Sequence, residues 1–251
     1  MKALALVEYG KLEYKDIPIP EVSKNQILVK VAFGAINPSD LGAVYGRYPG
    51  ASIELGKALG FEGSGEVVAV GEDLKVQHKI GDLVCIITVG VWAEYALVES
   101  HKADKILEGN SLQEATCHIV NPGTVLCMID LLKKQNKTSV IHTAGSSALG
   151  KMLIKACKLE GIKTINVVRN KKYFNELTEI GSYCNLDSTD KNFVYDLGKI
   201  TKELNTTVCF EAVAGELPNI VLSAMPNGST LYSYGSLSTK PITHIIRWII
   251  S

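Results

Sequence analysis

No apolar run in this 251-residue chain approaches the roughly 20 residues that a bilayer-spanning helix needs. An excess of one charge is missing as well. Lys and Arg number 26 and so do Asp and Glu, which leaves no bulk field for nucleic acid or an anionic lipid surface. The six cysteines (Cys85, Cys117, Cys127, Cys157, Cys184, Cys209) contain no CxxC pair, and the five histidines (His78, His101, His118, His142, His244) are equally dispersed. That scatter argues against a disulfide framework and against zinc, which needs clustered thiolates and imidazoles. Reduced, mostly packed thiols in an intracellular protein are expected, and no metal site. The opening MKALALVEY reads as a strand without the charged start, apolar middle and small-residue cleavage site of a secretory signal. Internal repeats and low-complexity linkers are absent. What is present, 46% apolar and 21% charged residues, is the composition of an ordinary globular protein long enough for one large domain or two smaller ones.

The chain has two halves with different periods. From Met1 to about Leu107, short β-like runs (Ile27–Val31, Glu66–Val70, Leu83–Thr88, Trp92–Val98) are broken by turn signals at Asn37–Pro38, Pro49–Gly50 and Gly81–Asp82, as in a small barrel or sandwich. Around Ser111 the pattern changes. Ser111-Leu-Gln-Glu114 fits a helix-opening capping box, and a second helix is expected after Asn121-Pro122, running towards Lys134. From Thr138 onward, strands at Ser139–His142, Thr164–Val168, Thr207–Glu211 and Thr230–Tyr234 alternate with helices at Ser147–Glu160, Lys171–Ile180, Asn192–Glu203 and Glu216–Met225. That order predicts a doubly wound parallel sheet. The boundary is expected near Ser111–Thr138, giving domains 1–115 and 116–251.

The most informative stretch runs from Thr138 to Lys172. A buried strand enters Gly145-Ser146-Ser147-Ala148-Leu149-Gly150, and a helix follows with Ala148, Leu149, Met152, Leu153 and Ala156 expected on its apolar face. A turn of this kind aims free N–H groups and the positive helix end at a pyrophosphate. Gly145 permits the tight turn and Gly150 lets the helix approach the strand, whereas Ser147 stands where G-x-G-x-x-G has its middle glycine. At the end of the second strand, NAD binders place a carboxylate for the ribose hydroxyl. Here the residues are Val168-Arg169-Asn170-Lys171-Lys172. A guanidinium suits a 2′-phosphate, so the cofactor expected is NADPH, with Arg169 ahead of Lys171 as its ligand.

Three further motifs join the phosphate turn: Gly60-Phe-Glu-Gly-Ser-Gly-Glu-Val-Val-Ala-Val-Gly71, Ile36-Asn-Pro-Ser-Asp40 and Tyr234-Gly235-Ser236. Together they resemble the medium-chain dehydrogenase/reductase family, and most of all its zinc-free quinone-reductase and 2-enoyl thioester reductase branch. The resemblance covers Met1 to about Ile246. It implies a GroES-like β-barrel domain followed by a Rossmann cofactor domain. Alcohol dehydrogenases of that family carry a cysteine in the loop corresponding to Asn37–Asp40 and a histidine where Phe61 stands, and both are absent here.

By the same resemblance, Tyr48 takes the role of the proton-donating tyrosine of the enoyl thioester reductases. Hydride delivery to the β-carbon of a conjugated carbonyl leaves an enolate that needs a proton or a hydrogen bond. Asn37, Asn121, Thr124, Tyr234 and Gly235 are implied as cofactor contacts beside the phosphate turn. The acceptor implied is a small enoyl thioester, enone or quinone, with no nucleic acid partner. Family members continue beyond the Pro241–Ile250 segment with another sheet strand and a return to the barrel domain. The expectation is therefore either a fragment or splice product of a longer enzyme, or a C-terminally short relative whose apolar tail (Ile245, Ile246, Trp248, Ile249) is covered by a homodimer or a protein partner. A catalytically compromised cofactor-binding or structural subunit is the alternative function. The compartment expected is the cytoplasm, or the mitochondrial matrix after removal of a presequence.

Overall fold

The computed structural model describes residues 1–48, 53–73, 77–238 and 240–242. The expected Pro49–Gly50 turn and the apolar tail with Ile245, Ile246, Trp248 and Ile249 lie outside the described residues. The chain divides into two compact units, Met1–Gly123 and Thr124–Ser251.

In the first unit β1 (Lys2–Glu8) and β2 (Lys11–Asp16) form an antiparallel hairpin. β3 (Gln26–Gly34) leads to a short helix α1 (Pro38–Val44), then β4 (Glu62–Val70), β5 (Leu83–Ile87), β6 (Tyr95–Glu99) and β7 (Ala103–Lys105). These five strands make one antiparallel sheet in the order β6-β3-β4-β5-β7. Alternation along β3 turns Ile27 and Val29 into a core with Val67, Val84, Ile86, Val91 and Val98. Each such burial stabilises by roughly 1.5–3 kcal/mol relative to exposure. The unit closes on α2 (Leu112–Ala115), where the Ser111 hydroxyl accepts from the Glu114 amide at 3.2 Å and Glu114 accepts from the Ser111 amide at 3.0 Å. The capping box is as expected.

The Asn37–Pro38 turn is a correction. Asn37 is extended, with φ −98° and ψ 159°, and Pro38 opens α1. A proline fixed near φ −65° and lacking an N–H suits the first helical position as well as it suits a turn.

The helix α3 (Val120–Lys134) contains the division between the units. After it come β8 (Ser139–Thr143), α4 (Ala148–Leu159), β9 (Lys163–Val168), α5 (Phe174–Glu179), β10 (Cys184–Asp187), α6 (Phe193–Glu203), β11 (Val208–Glu211), α7 (Leu217–Ser223) and β12 (Thr230–Ser233). The five strands are parallel, in the order β10-β9-β8-β11-β12. Such a sheet is buried on both faces. Val140, Val208 and Phe210 pack on α3 and α4, whereas Ile141, Ile165, Val167 and Cys209 pack on α6 and α7. The doubly wound sheet read from the alternation is therefore present. β10 was not anticipated, and the buried stripe of α4 is Gly150, Leu153, Ile154 and Cys157, with Ala148 exposed.

Candidate functional site

Two glycines shape the loop between β8 and α4. A Cβ on Gly145 would lie 2.7 Å from Asn166 Cβ on β9, and a Cβ on Gly150 would lie 2.5 Å from the Gly145 carbonyl oxygen. Neither position has room for a side chain, so helix and strand approach through bare backbone. Ser147 is extended (φ −69°, ψ 164°) and caps the helix, its hydroxyl accepting from the Gly150 amide at 3.0 Å. Its backbone therefore needs no glycine. Of the first-turn donors, the Ala148 and Leu149 amides precede any intrahelical acceptor and stay available at the positive end of α4. Ser146 lies half-buried between them and Gly145.

Beyond the last residue of β9, Arg169 is exposed, with no ion pair among the described residues. Lys171 is instead paired with Asp190 at 2.6 Å, and that hydrogen bond raises its pKa. The Lys172 ammonium sits 4.9 Å from the Tyr173 ring centroid. Of the three cations only Lys171 has a carboxylate partner among the described residues, and Arg169 stands nearest the end of β9.

At the carboxyl ends of β8, β11 and β12 lies a second group of polar residues. Glu211 is fully buried and accepts from the Ala214 amide at 3.0 Å and the Thr143 hydroxyl at 3.3 Å, while Thr143 Oγ1 accepts from the Ala212 amide at 2.8 Å. Tyr234 follows β12, and its amide donates to the Glu211 carbonyl at 2.9 Å. A Cβ on Gly235 would lie 3.0 Å from the Ala212 carbonyl oxygen, so that turn is packed close. Tyr234 Oη lies 2.6 Å from Nε2 of His142, a fully buried residue of β8. Burial pushes the His142 pKa down to about 3 and the Tyr234 phenol up.

The first unit holds a separate polar cluster. Buried Glu62 on β4 accepts from Asn37 Nδ2 at 3.2 Å and from the Ile119 and Val120 amides at 3.0 and 2.7 Å. N–H donors at the start of α3, with their positive dipole end, hold this carboxylate. Asp40 is also buried and accepts from the Asn37 amide at 2.5 Å; burial raises its pKa. Glu62 thereby ties Asn37 to the start of the helix that carries Asn121 and Thr124, both half-buried one turn apart. Tyr48 is 46% exposed, its ring 5.5 Å from that of Phe61. Glu62 and Asp40 are not among the residues the sequence singles out, although Glu62 sits inside the Gly60–Gly71 motif and Asp40 three residues after Asn37, the capping-box interval.

All six cysteines are free thiols, and burial raises Cys157 to about 12. No group of three potential metal ligands and no helix long and apolar enough to cross a membrane occurs among the described residues.

An antiparallel GroES-like sheet followed by a doubly wound parallel sheet with a glycine-walled βα turn defines the two-domain architecture of dehydrogenases and reductases. The family model described as the alcohol dehydrogenase GroES-like domain matches residues 23–108. A solved structure from Mesorhizobium loti, of a protein assigned as an NADPH:quinone reductase, is 30% identical with a TM-score of 0.90, covering 97% of this chain and 76% of that one. The mitochondrial enoyl-[acyl-carrier-protein] reductase of Arabidopsis thaliana is 29% identical over 253 residues, 96% of this chain and 67% of that protein. Escherichia coli quinone oxidoreductase, solved with NADPH, shares the fold at 21% identity and a TM-score of 0.86, covering 98% of this chain and 76% of that one. The chain belongs to the medium-chain dehydrogenase/reductase family, in its zinc-free branch. It spans about two thirds of the length of the curated relatives it matches, for example 65% of the human mitochondrial enoyl reductase.

Proposed function

We propose that this chain acts as a zinc-independent, NADPH-dependent reductase of an activated C=C bond, in a 2-enoyl thioester or enone, or of a quinone. The observation that carries the reading is the β8–α4 turn, where Gly145 and Gly150 have no room for a Cβ and the Ala148 and Leu149 amides stand in the first turn of α4, at the helix end that favours a phosphate. Arg169, exposed and unpaired among the described residues, is the ligand for the 2′-phosphate. The names of the relatives, enoyl reductases and quinone reductases, support the acceptor class, and the mitochondrial names favour the matrix over the cytoplasm.

NADPH, when bound, supplies the hydride. The chain's own residues bind, orient and protonate. Ser146, Ser147 and the Ala148 and Leu149 amides would hold phosphate oxygens, and Lys171 would reach them only by leaving its Asp190 partner. Asn37 and Asn121 of the first unit, and Thr124, Tyr234 and Gly235 of the second, are the further cofactor contacts proposed, and Glu62 holds Asn37 and the start of α3 in register. Tyr48 donates its phenolic proton to the enolate left by hydride addition, or a hydrogen bond to a quinone oxygen.

Incubating the chain with NADPH and a panel of crotonyl-CoA, simple enones and benzoquinones tests the reading. Acceptor-dependent NADPH oxidation is expected. NADPH binding without turnover of any acceptor would leave a cofactor-binding subunit as the function.

A further inference from the structure

His142 and Tyr234 are 92 positions apart, yet their rings stack 5.9 Å apart at 18° and His142 Nε2 lies 2.6 Å from Tyr234 Oη. The imidazole has no exposed surface, and its other nitrogen, Nδ1, is buried without a hydrogen-bond partner among the described residues. This orphan decides the tautomer. With the proton on Nδ1, an N–H would be buried unpaired; with the proton on Nε2, only a lone pair is left unpaired. Orphaned buried N–H groups are rare in proteins, and under-satisfied acceptors are better tolerated. Burial also keeps the ring from carrying both protons. Nε2–H therefore donates to Tyr234 Oη.

A phenol that accepts from His142 keeps its own proton free for another partner. Tyr234 is 37% exposed and stands past the carboxyl end of β12, the end of the parallel sheet from which the Gly145 turn also leaves β8. Ligands of open α/β sheets bind at that end. The burial that raises the phenol's pKa keeps the proton in place.

We propose that His142 is a positioning residue that makes the Tyr234 hydroxyl an outward hydrogen-bond donor to a carbonyl oxygen bound at the strand ends. The identity of that carbonyl rests on the reductase reading above: it belongs either to the nicotinamide carboxamide or to the acceptor.

Nitrogen chemical shifts of His142 in the ligand-free, 15N-histidine-labelled chain test the first half, assigned by the signal lost in His142→Gln. The expected result is a protonated Nε2 and a bare Nδ1; a proton on Nδ1 overturns the proposal. Tyr234→Phe tests the second half. A loss of about three- to tenfold is expected, the size of one neutral hydrogen bond. It falls on NADPH affinity if the carboxamide is the partner, or on acceptor kcat/KM at unchanged NADPH affinity if the acceptor carbonyl is. No loss in either measurement overturns the proposal. His142→Gln, which keeps a donor, is expected to retain ligand function, and His142→Leu to lose what Tyr234→Phe loses. A role in stability alone would lower the melting temperature of His142→Leu while leaving the ligand constants of the folded protein unchanged. The nitrogen shifts require no cofactor, so a chain that binds no NADPH but protonates Nε2 defeats the reductase reading and not the tautomer.

Discussion

A Cβ placed on Gly150 would lie 2.5 Å from the carbonyl oxygen of Gly145, so the first turn of α4 rests on the backbone that leaves β8. Gly150→Ala must push strand and helix apart. The overpacking cost is about 1–3 kcal/mol, read as a lowered urea midpoint. NADPH affinity should fall by at least about tenfold, because amides displaced by a fraction of an ångström no longer converge on one phosphate.

Glu62→Gln keeps one oxygen for the Ile119 and Val120 amides, which share Oε1, but turns an amide NH2 towards Asn37 Nδ2, itself a donor, where Oε2 stood. Leaving buried donors unpaired costs about 1–3 kcal/mol, more where the lost acceptor was charged. Chemical denaturation of the variant should show that loss. An unchanged midpoint would mean that Glu62 does not hold α3 as described.

Stability should also decline in acid through His142. Its folded pKa, about 3, lies below the ordinary 6.5, so the unfolded chain takes up a proton that the folded chain refuses. The stabilisation is full above pH 6.5 and falls by about 1.4 kcal/mol per pH unit as the pH drops from there towards 3. Urea midpoints measured from pH 7 to pH 4 check this, with His142→Gln as the control that should lose that part of the slope.

Much of the second unit was legible because its signals are local. A strand, a Gly-x-Ser-x-x-Gly turn and an amphipathic helix are contiguous, and period and punctuation place them within a residue or two. What escaped had a physical reason. β10 is four half-buried residues, Cys184–Asp187, with two polar side chains and no alternation to read. α1 hid behind Asn37–Pro38, since that dipeptide starts turns and helices alike. The buried face of α4 was read one position off, because Leu149 and Met152 are only partly covered and Ile154 faces Val168 and Leu177. The candidate site was legible only where chemistry is carried by adjacent residues. His142 with Tyr234, and Glu62 with Val120, are partners made by the fold across 92 and 58 positions, and no local pattern announces them.

Tyr48→Phe keeps the ring that packs 5.5 Å from Phe61 and removes only the hydroxyl. Stability should change little. If Tyr48 is the proton donor, kcat for an enoyl thioester should fall about 100-fold or more, with NADPH affinity preserved. A quinone, whose reduction leaves a more stable anion, should suffer less.

In the proposed function the β8–α4 turn and Arg169 together grip NADPH. Parallel titrations of the chain with NADPH and NADH, followed by nicotinamide fluorescence and thermal shift, test it most directly, with Arg169→Asp alongside. NADPH should bind more tightly than NADH, and Arg169→Asp should cost NADPH about 10–100-fold while sparing NADH, as expected when a charge-assisted bond to the 2′-phosphate is removed. Equal affinity for the two cofactors, or a preference untouched by Arg169→Asp, would contradict it.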